Sequence, residues 1–109
     1  MMKLIIGGAY QGKRHYALER YGDEEMVVNF HLQVLEWLKQ EVDPVLQLQA
    51  QLSDYQNKVI VCDDISCGVV PVDPLMRAWR EAMGHTLAVL VKESEEVVRV
   101  FCGIGMQLK

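Results

Sequence analysis

Near its start the chain sets a short apolar run, Lys3-Leu4-Ile5-Ile6, directly against Gly7-Gly8, and helical patterning begins at Gly12-Lys13. A buried strand that stops at paired glycines and hands over to a helix within a few residues is compatible with few architectures. The octet Gly7-Gly8-Ala9-Tyr10-Gln11-Gly12-Lys13-Arg14 matches G-x-x-x-x-G-K, the phosphate-binding loop, in the strand-before and helix-after setting that the motif requires. Glycines there let successive N–H groups turn inward around phosphate oxygens. The helix N-terminus adds a positive dipole end, and Lys13 would reach the terminal phosphates. The competing reading is an ordinary glycine-rich turn with a surface lysine. The motif favours a nucleotide site, with ATP or GTP as ligand, over Gly7, Gly8, Ala9, Tyr10, Gln11, Gly12, Lys13 and Arg14, and with Lys13 as the catalytic cation.

Arg14 stands where the motif has Ser or Thr, whose hydroxyl binds Mg²⁺. Arginine offers donors only. Two unit charges about 4 Å apart interact by about 4 kcal/mol at an effective dielectric of about 20, so a guanidinium beside a divalent ion is repelled by about twice that. Either Arg14 points away and other groups hold the metal, or Arg14 neutralises phosphate itself and Mg²⁺ is absent. The second arrangement permits binding and weakens transfer, which leans on metal to neutralise the phosphate oxygens. A carboxylate after a neighbouring strand normally holds that metal through water, and Asp64 is the candidate, with a solvated loop acid as its alternative.

Along the chain, Lys3 to Ile6, Met26 to Phe30, Lys58 to Cys62 and Val97 to Cys102 read as strands. Helices are expected from Lys13 to about Tyr21, ending on a left-handed Gly22 cap, and from His31 to about Gln56. The second has one apolar face, Leu32, Leu35, Leu38, Val42, Val45, Leu48 and Leu52, and breaks at Pro44 with Asp43 as N-cap. Asp73-Pro74 repeats that start for a helix to about Gly84 with Leu75, Met76, Trp79, Ala82 and Met83 on its apolar face, and Thr86 to Lys92 reads as further helix, either separate or its continuation. Asp23, Glu24 and Glu25 read as a solvated turn, and Gly103 and Gly105 as a turn before a short tail. Strands alternating with helices imply parallel pairing through crossover helices. The fold class is therefore α/β, a three-layer P-loop NTPase-like fold with a small mostly parallel sheet flanked by helices, in one domain over residues 1–109.

Net charge of −4, with Lys and Arg scattered among acids, argues against nucleic-acid tracking. No apolar run approaches the roughly 20 residues of a membrane span, and Met1 to Gly8 lacks a signal-peptide pattern, so a cytoplasmic protein is expected. Cys62, Cys67 and Cys102 are spaced for neither a disulfide framework nor zinc, and read as small buried hydrophobes. His31 reads as a helix-start or partly buried residue, not a nucleophile; His15 is similar, and His85 a surface or hinge residue. Trp79 and Met76 read as core.

Three segments together resemble a known family. Leu4 through Lys13 resembles the strand and G-G-A-R-S-G-K-S loop of the bifunctional adenosylcobinamide kinase and adenosylcobinamide-phosphate guanylyltransferases. Lys58 to Pro71 resembles that family's apolar strand, N-E pair and G-I-V-P, with Asp64 at the acidic place. Leu75, Arg77, Trp79, Arg80 and Gly84 follow its L-x-R-x-[FW]-R-x-x-x-G helix, and Glu96 to Gly105 its E-V-x-x-V-x-x-G-I-G. The resemblance implies a RecA-like P-loop fold, homo-oligomeric assembly, a nucleoside triphosphate and a cobinamide-type acceptor. Only Tyr21 to Glu25 separates the first helix from the Met26 strand, so the segment bearing the family's guanylyl-accepting histidine has no counterpart. Asn29 stands where a family carboxylate closes the next strand. The expected protein is a shortened relative that keeps phosphate binding with a degenerate site, or alternatively a non-catalytic binding or scaffold relative.

Overall fold

The computed structural model describes residues 1–22, 24–65 and 72–109. Asp23 and Cys67, and the residues 66–71 that follow Ile65, lie outside the described residues. Five strands form one sheet in the order β2-β3-β1-β4-β5, where β1 is Met2–Gly7, β2 Glu25–Val27, β3 Lys58–Asp63, β4 Ser94–Phe101 and β5 Ile104–Gln107. The first four are mutually parallel and β5 is antiparallel to β4. Parallel strands buried on both faces require apolar runs, and β1 and β3 supply them, whereas β4 buries Val97, Val98 and Val100 around an exposed Arg99.

Alternation along β1 divides the core. Leu4 and Ile6 face α2 (Phe30–Lys39), α3 (Pro44–Ala50) and α4 (Pro74–Glu93), while Ile5 faces α1 (Lys13–Tyr21) with Ala17, Tyr21, Val59, Val61, Val98 and Val100. The sheet is thus covered on both faces, and the expected three-layer α/β arrangement holds. The Phe30 ring meets Trp37 edge-on at 5.9 Å and Tyr55 at 5.8 Å. Such pairs each contribute about 0.5–1.5 kcal/mol beyond area burial. Among the described residues no helix is long and apolar enough to cross a membrane.

Both proline starts form as expected: the Asp43 carboxylate accepts from Val45 N (3.0 Å) and Leu46 N (3.4 Å), and that of Asp73 from Leu75 N (2.8 Å) and Met76 N (3.2 Å). Several details differ from expectation. In α2 the buried face is Phe30, His31, Val34 and Trp37, and Leu32 is exposed. The helix begins at Phe30, and the large aromatics Phe30 and Trp37, with Val34 between them, take the core face in place of the leucine stripe. Strand β2 accordingly stops at Val27. Gly22 is right-handed (φ −49°), not left-handed, and a Cβ there would lie 2.9 Å from Leu18 O.

Helix α4 runs through Gly84 to Glu93, so the further helix expected from Thr86 is its continuation. Met83, Thr86, Leu87 and Leu90 continue one buried stripe past Gly84, which outweighs the roughly 1 kcal/mol that an interior glycine costs. Glu24 is not a solvated turn acid, because its carboxylate pairs with Lys3 Nζ at 2.6 Å. Cys62 is buried, its thiol pushed up to about 12 by burial and by the Asp64 and Asp63 carboxylates, whereas Cys102 is exposed. The expected tail is strand β5. Cys102 (φ 50°) and Gly103 (φ 77°) form a two-residue turn with both residues left-handed, the geometry that matches strand twist.

Candidate functional site

The carboxyl ends of β1 and β3 and the N-terminus of α1 open onto a cleft of about 380 Å³, lined by Ala9, Tyr10, Gln11, Gly12, Lys13, Arg14, His15, Val28, Asn29, Val61 and Asp63. Ligands of open parallel sheets bind at such strand ends. Of the eight loop residues named from the sequence, six line the cleft, and Gly7 and Gly8 do not.

Two of the three loop glycines answer to different demands. A Cβ on Gly7 would lie 2.5 Å from Val100 O, so β1 can leave the sheet beside β4 only without a side chain there. Gly12 holds φ +85° at the entry to α1, a conformation that disfavours side chains. Gly8 has neither constraint; the nearest atom to a Cβ there is Gln11 Cγ at 3.7 Å. Tyr10 is also left-handed (φ 60°) and fully exposed.

Gln11 was not legible as more than a variable loop position. Its backbone carbonyl accepts from Gly103 N (2.8 Å) and its side-chain Oε1 from Cys102 N (2.7 Å). The β4–β5 turn thereby fastens the loop from outside, and a Cβ on Gly12 would approach Gly103 Cα to 3.3 Å. The turn expected at Gly103 is present, but it is a left-handed Cys102-Gly103 pair that leads into strand β5 and not into a tail.

Lys13 lies at the floor of the cleft and is only 8% exposed. Its ammonium donates to Gly8 O at 2.6 Å and pairs with Asp63 Oδ1 at 2.6 Å. At such depth Coulomb gain is largely offset by desolvation, so the pair fixes a position more than it adds stability. The lining carboxylate is therefore Asp63, whereas the residue named from the sequence was Asp64. Asp64 sits one position on, beyond the end of β3, with its backbone N–H donating to Gly7 O at 2.9 Å. Adjacent acids on a strand point to opposite faces, and only register decides which meets the loop; Gly7 pairs with Asp63.

His31 approaches Asp63 from the other side. Its Nδ1 accepts the Asp63 backbone N–H at 3.0 Å, and Nε2 lies 3.5 Å from Asp63 Oδ2. Burial, against the pull of the Asp63 carboxylate and with the push of the Lys13 ammonium, holds the imidazole below its ordinary range. The unfolded chain then takes up a proton more readily than the folded one, so the stabilisation from His31 is complete above about pH 6.5 and is lost as pH falls toward and through the folded value. Urea unfolding at about pH 7.5 and about pH 5.5 is expected to show a smaller acid loss in His31→Leu than in the native protein.

The other candidates fall elsewhere. Arg14 and His15 are exposed at the rim, and His15 pairs with Glu19 at 3.0 Å. Asn29 lines the cleft in a left-handed conformation (φ 56°) and makes no side-chain cap to α2. His85 is exposed on α4. Trp79 donates its indole N–H to His31 O at 2.8 Å, and so belongs to the support of the site. As a Mg²⁺ site the lining is poor. Among the described residues no three His, Cys, Asp or Glu side chains converge, and Asp63 is engaged by Lys13.

A family model described as cobinamide kinase / cobinamide phosphate guanyltransferase matches residues 24–108. The match begins after α1, so the loop residues 7–14 and their geometry are a separate observation. No curated protein matches the chain.

Proposed function

The chain belongs to the cobinamide kinase / cobinamide phosphate guanyltransferase family, and from that membership we propose that the cleft at residues 7–14 binds the phosphates of ATP or GTP. The observation that carries the reading is the buried Lys13 ammonium, held at the N-terminus of α1 inside a cleft lined by its own loop. A buried cation aimed into a cleft, with a helix N-terminus beside it, is a receptor for anionic oxygens. Incoming phosphate would exchange with the Asp63 carboxylate and Gly8 carbonyl at Lys13. Arg14, at the rim, would neutralise charge from the solvent side.

We further propose that transfer, where it occurs, is phosphate transfer to a cobinamide-type acceptor and not guanylylation. Phosphoryl transfer asks a protein mainly for positioning and charge stabilisation. Guanylylation through a histidine asks for a ring aimed at the alpha phosphate, and the His31 nitrogens are both turned to Asp63. Arg14 favours a second reading, a member that binds nucleotide without transfer. Phosphorylation of adenosylcobinamide by ATP and Mg²⁺ separates the two. Activity is expected to rise at least about tenfold in Arg14→Ser, where the hydroxyl restores a metal contact, and to vanish in Lys13→Ala. Absence of activity in both the native protein and Arg14→Ser would remove the transferase and leave the binding module. Stable labelling of His31 by alpha-labelled GTP would contradict the exclusion of guanylylation.

A further inference from the structure

An isolated imidazole in a protein core is costly unless both nitrogens have partners, and an apolar residue would pack beside Trp79 equally well. What His31 faces therefore explains its chemistry. Because Nδ1 accepts the Asp63 backbone N–H, it carries no proton, and the ring proton sits on Nε2, toward Asp63 Oδ2. The ring is gripped in turn. The Trp79 indole lies nearly parallel to it, centroids 6.3 Å apart and 28° between planes, and the indole N–H bonds the His31 carbonyl at 2.8 Å.

These contacts run in one line from α4 to the cleft: Trp79 fixes His31, His31 faces Asp63, and Asp63 holds Lys13. We propose that His31, as its Nε2–H tautomer clamped by Trp79, is a positioning residue that sets the Asp63 carboxylate and so keeps the Lys13 ammonium aimed into the cleft. A carboxylate on the last residue of a strand has free rotamers; backbone and side chain of Asp63 are both referred to one rigid ring. The ring makes no contact with the ligand and performs no chemistry. The effect on binding rests on the reading of the cleft as a nucleotide site, whereas the effect on Lys13 does not.

Two measurements on the full chain separate them. In the ligand-free protein, long-range ¹H–¹⁵N spectra are expected to show His31 protonated on Nε2 and bare on Nδ1. The Lys13 Nζ resonance is expected to shift in His31→Leu, which keeps bulk and loses both nitrogens, and to return toward the native position in His31→Asn, whose amide oxygen can accept the Asp63 N–H. The opposite tautomer, or an Nζ signal unmoved in His31→Leu, overturns the proposal whether or not nucleotide binds. With ATP as probe, the dissociation constant is expected to rise about tenfold in His31→Leu and to recover to within about threefold in His31→Asn. Equal affinity in native protein and His31→Leu, both folded by thermal melting, also overturns it. Absence of ATP binding in the native protein would instead sink the nucleotide site and leave the resonances to decide His31.

Discussion

Replacing Lys13 with alanine is expected to weaken ATP or GTP binding by about ten- to a hundredfold, since a hydrogen bond to a charged group contributes about 1.5–3 kcal/mol and each 1.4 kcal/mol is about tenfold. The same change should lower folding stability by about 1–3 kcal/mol, because the Asp63 carboxylate then loses its cation in a largely desolvated place. Those two effects are separable. Asp63→Asn removes the competing carboxylate while keeping a group able to accept from Lys13, so it should cost stability yet leave affinity equal or tighter. Calorimetric titration checks the affinities and urea unfolding the stabilities. A Lys13→Ala protein that bound nucleotide like the native one would detach the cleft from the function assigned to it.

Gly7→Ala should be the most damaging single methyl in the loop. A Cβ there would sit 2.5 Å from Val100 O, a backbone atom of a central strand that cannot rotate away. Overpacking of this kind costs about 3 kcal/mol, equivalent to a loss of about 12 °C or more in Tm for a domain of this size. The shift would also displace the loop from Asp63 and Asp64, whose register with β1 runs through Gly7. Gly8→Ala is the matched control, because a Cβ there meets only Gln11 Cγ, at an ordinary van der Waals distance of 3.7 Å. It should change Tm by no more than about 2 °C, the scale of a benign surface substitution. Thermal melts of the two variants side by side test this; equal losses would show that the close approach of β4 is not what requires glycine.

The contrast between these neighbours marks where sequence was informative. Paired glycines after an apolar run announced a strand-to-helix loop, and Asp43-Pro44 and Asp73-Pro74 announced helix starts, because the cause of each lies within a few residues. Parallel pairing followed from alternation of elements. What could not be read was set at a distance. Asp63 and Asp64 are chemically alike and adjacent, and only the register of β3 against β1 turns Asp63 toward Lys13. The burial of His31 depends on the phase of α2, which Phe30, Val34 and Trp37 set against the more evenly spaced leucines. The grip of the β4–β5 turn on Gln11 joins positions 91 apart in the chain. Strand β5 was hidden because Cys102, not only glycine, takes a left-handed conformation in its turn.

The histidine shows the same division. Sequence alone favoured a helix-start or partly buried residue, which α2 bears out, with His31 in its first turn and buried. Its link to Asp63 and Trp79 requires α2, β3 and α4 to be packed together. The Arg14 departure was legible as a conflict with metal at that position, and at the rim of the cleft Arg14 is free of any role in the core.

This cleft is proposed to receive the phosphates of a nucleoside triphosphate chiefly through Lys13, its loop and the end of α1. Isothermal titration of the native protein with ATP and with GTP, each in Mg²⁺ and again in excess chelator, addresses it most directly. Saturable heat is expected with at least one nucleotide, and a dissociation constant that changes by less than about threefold when Mg²⁺ is withdrawn, because the lining supplies cations and donors in place of a metal cage. No heat with either nucleotide under either condition would contradict it.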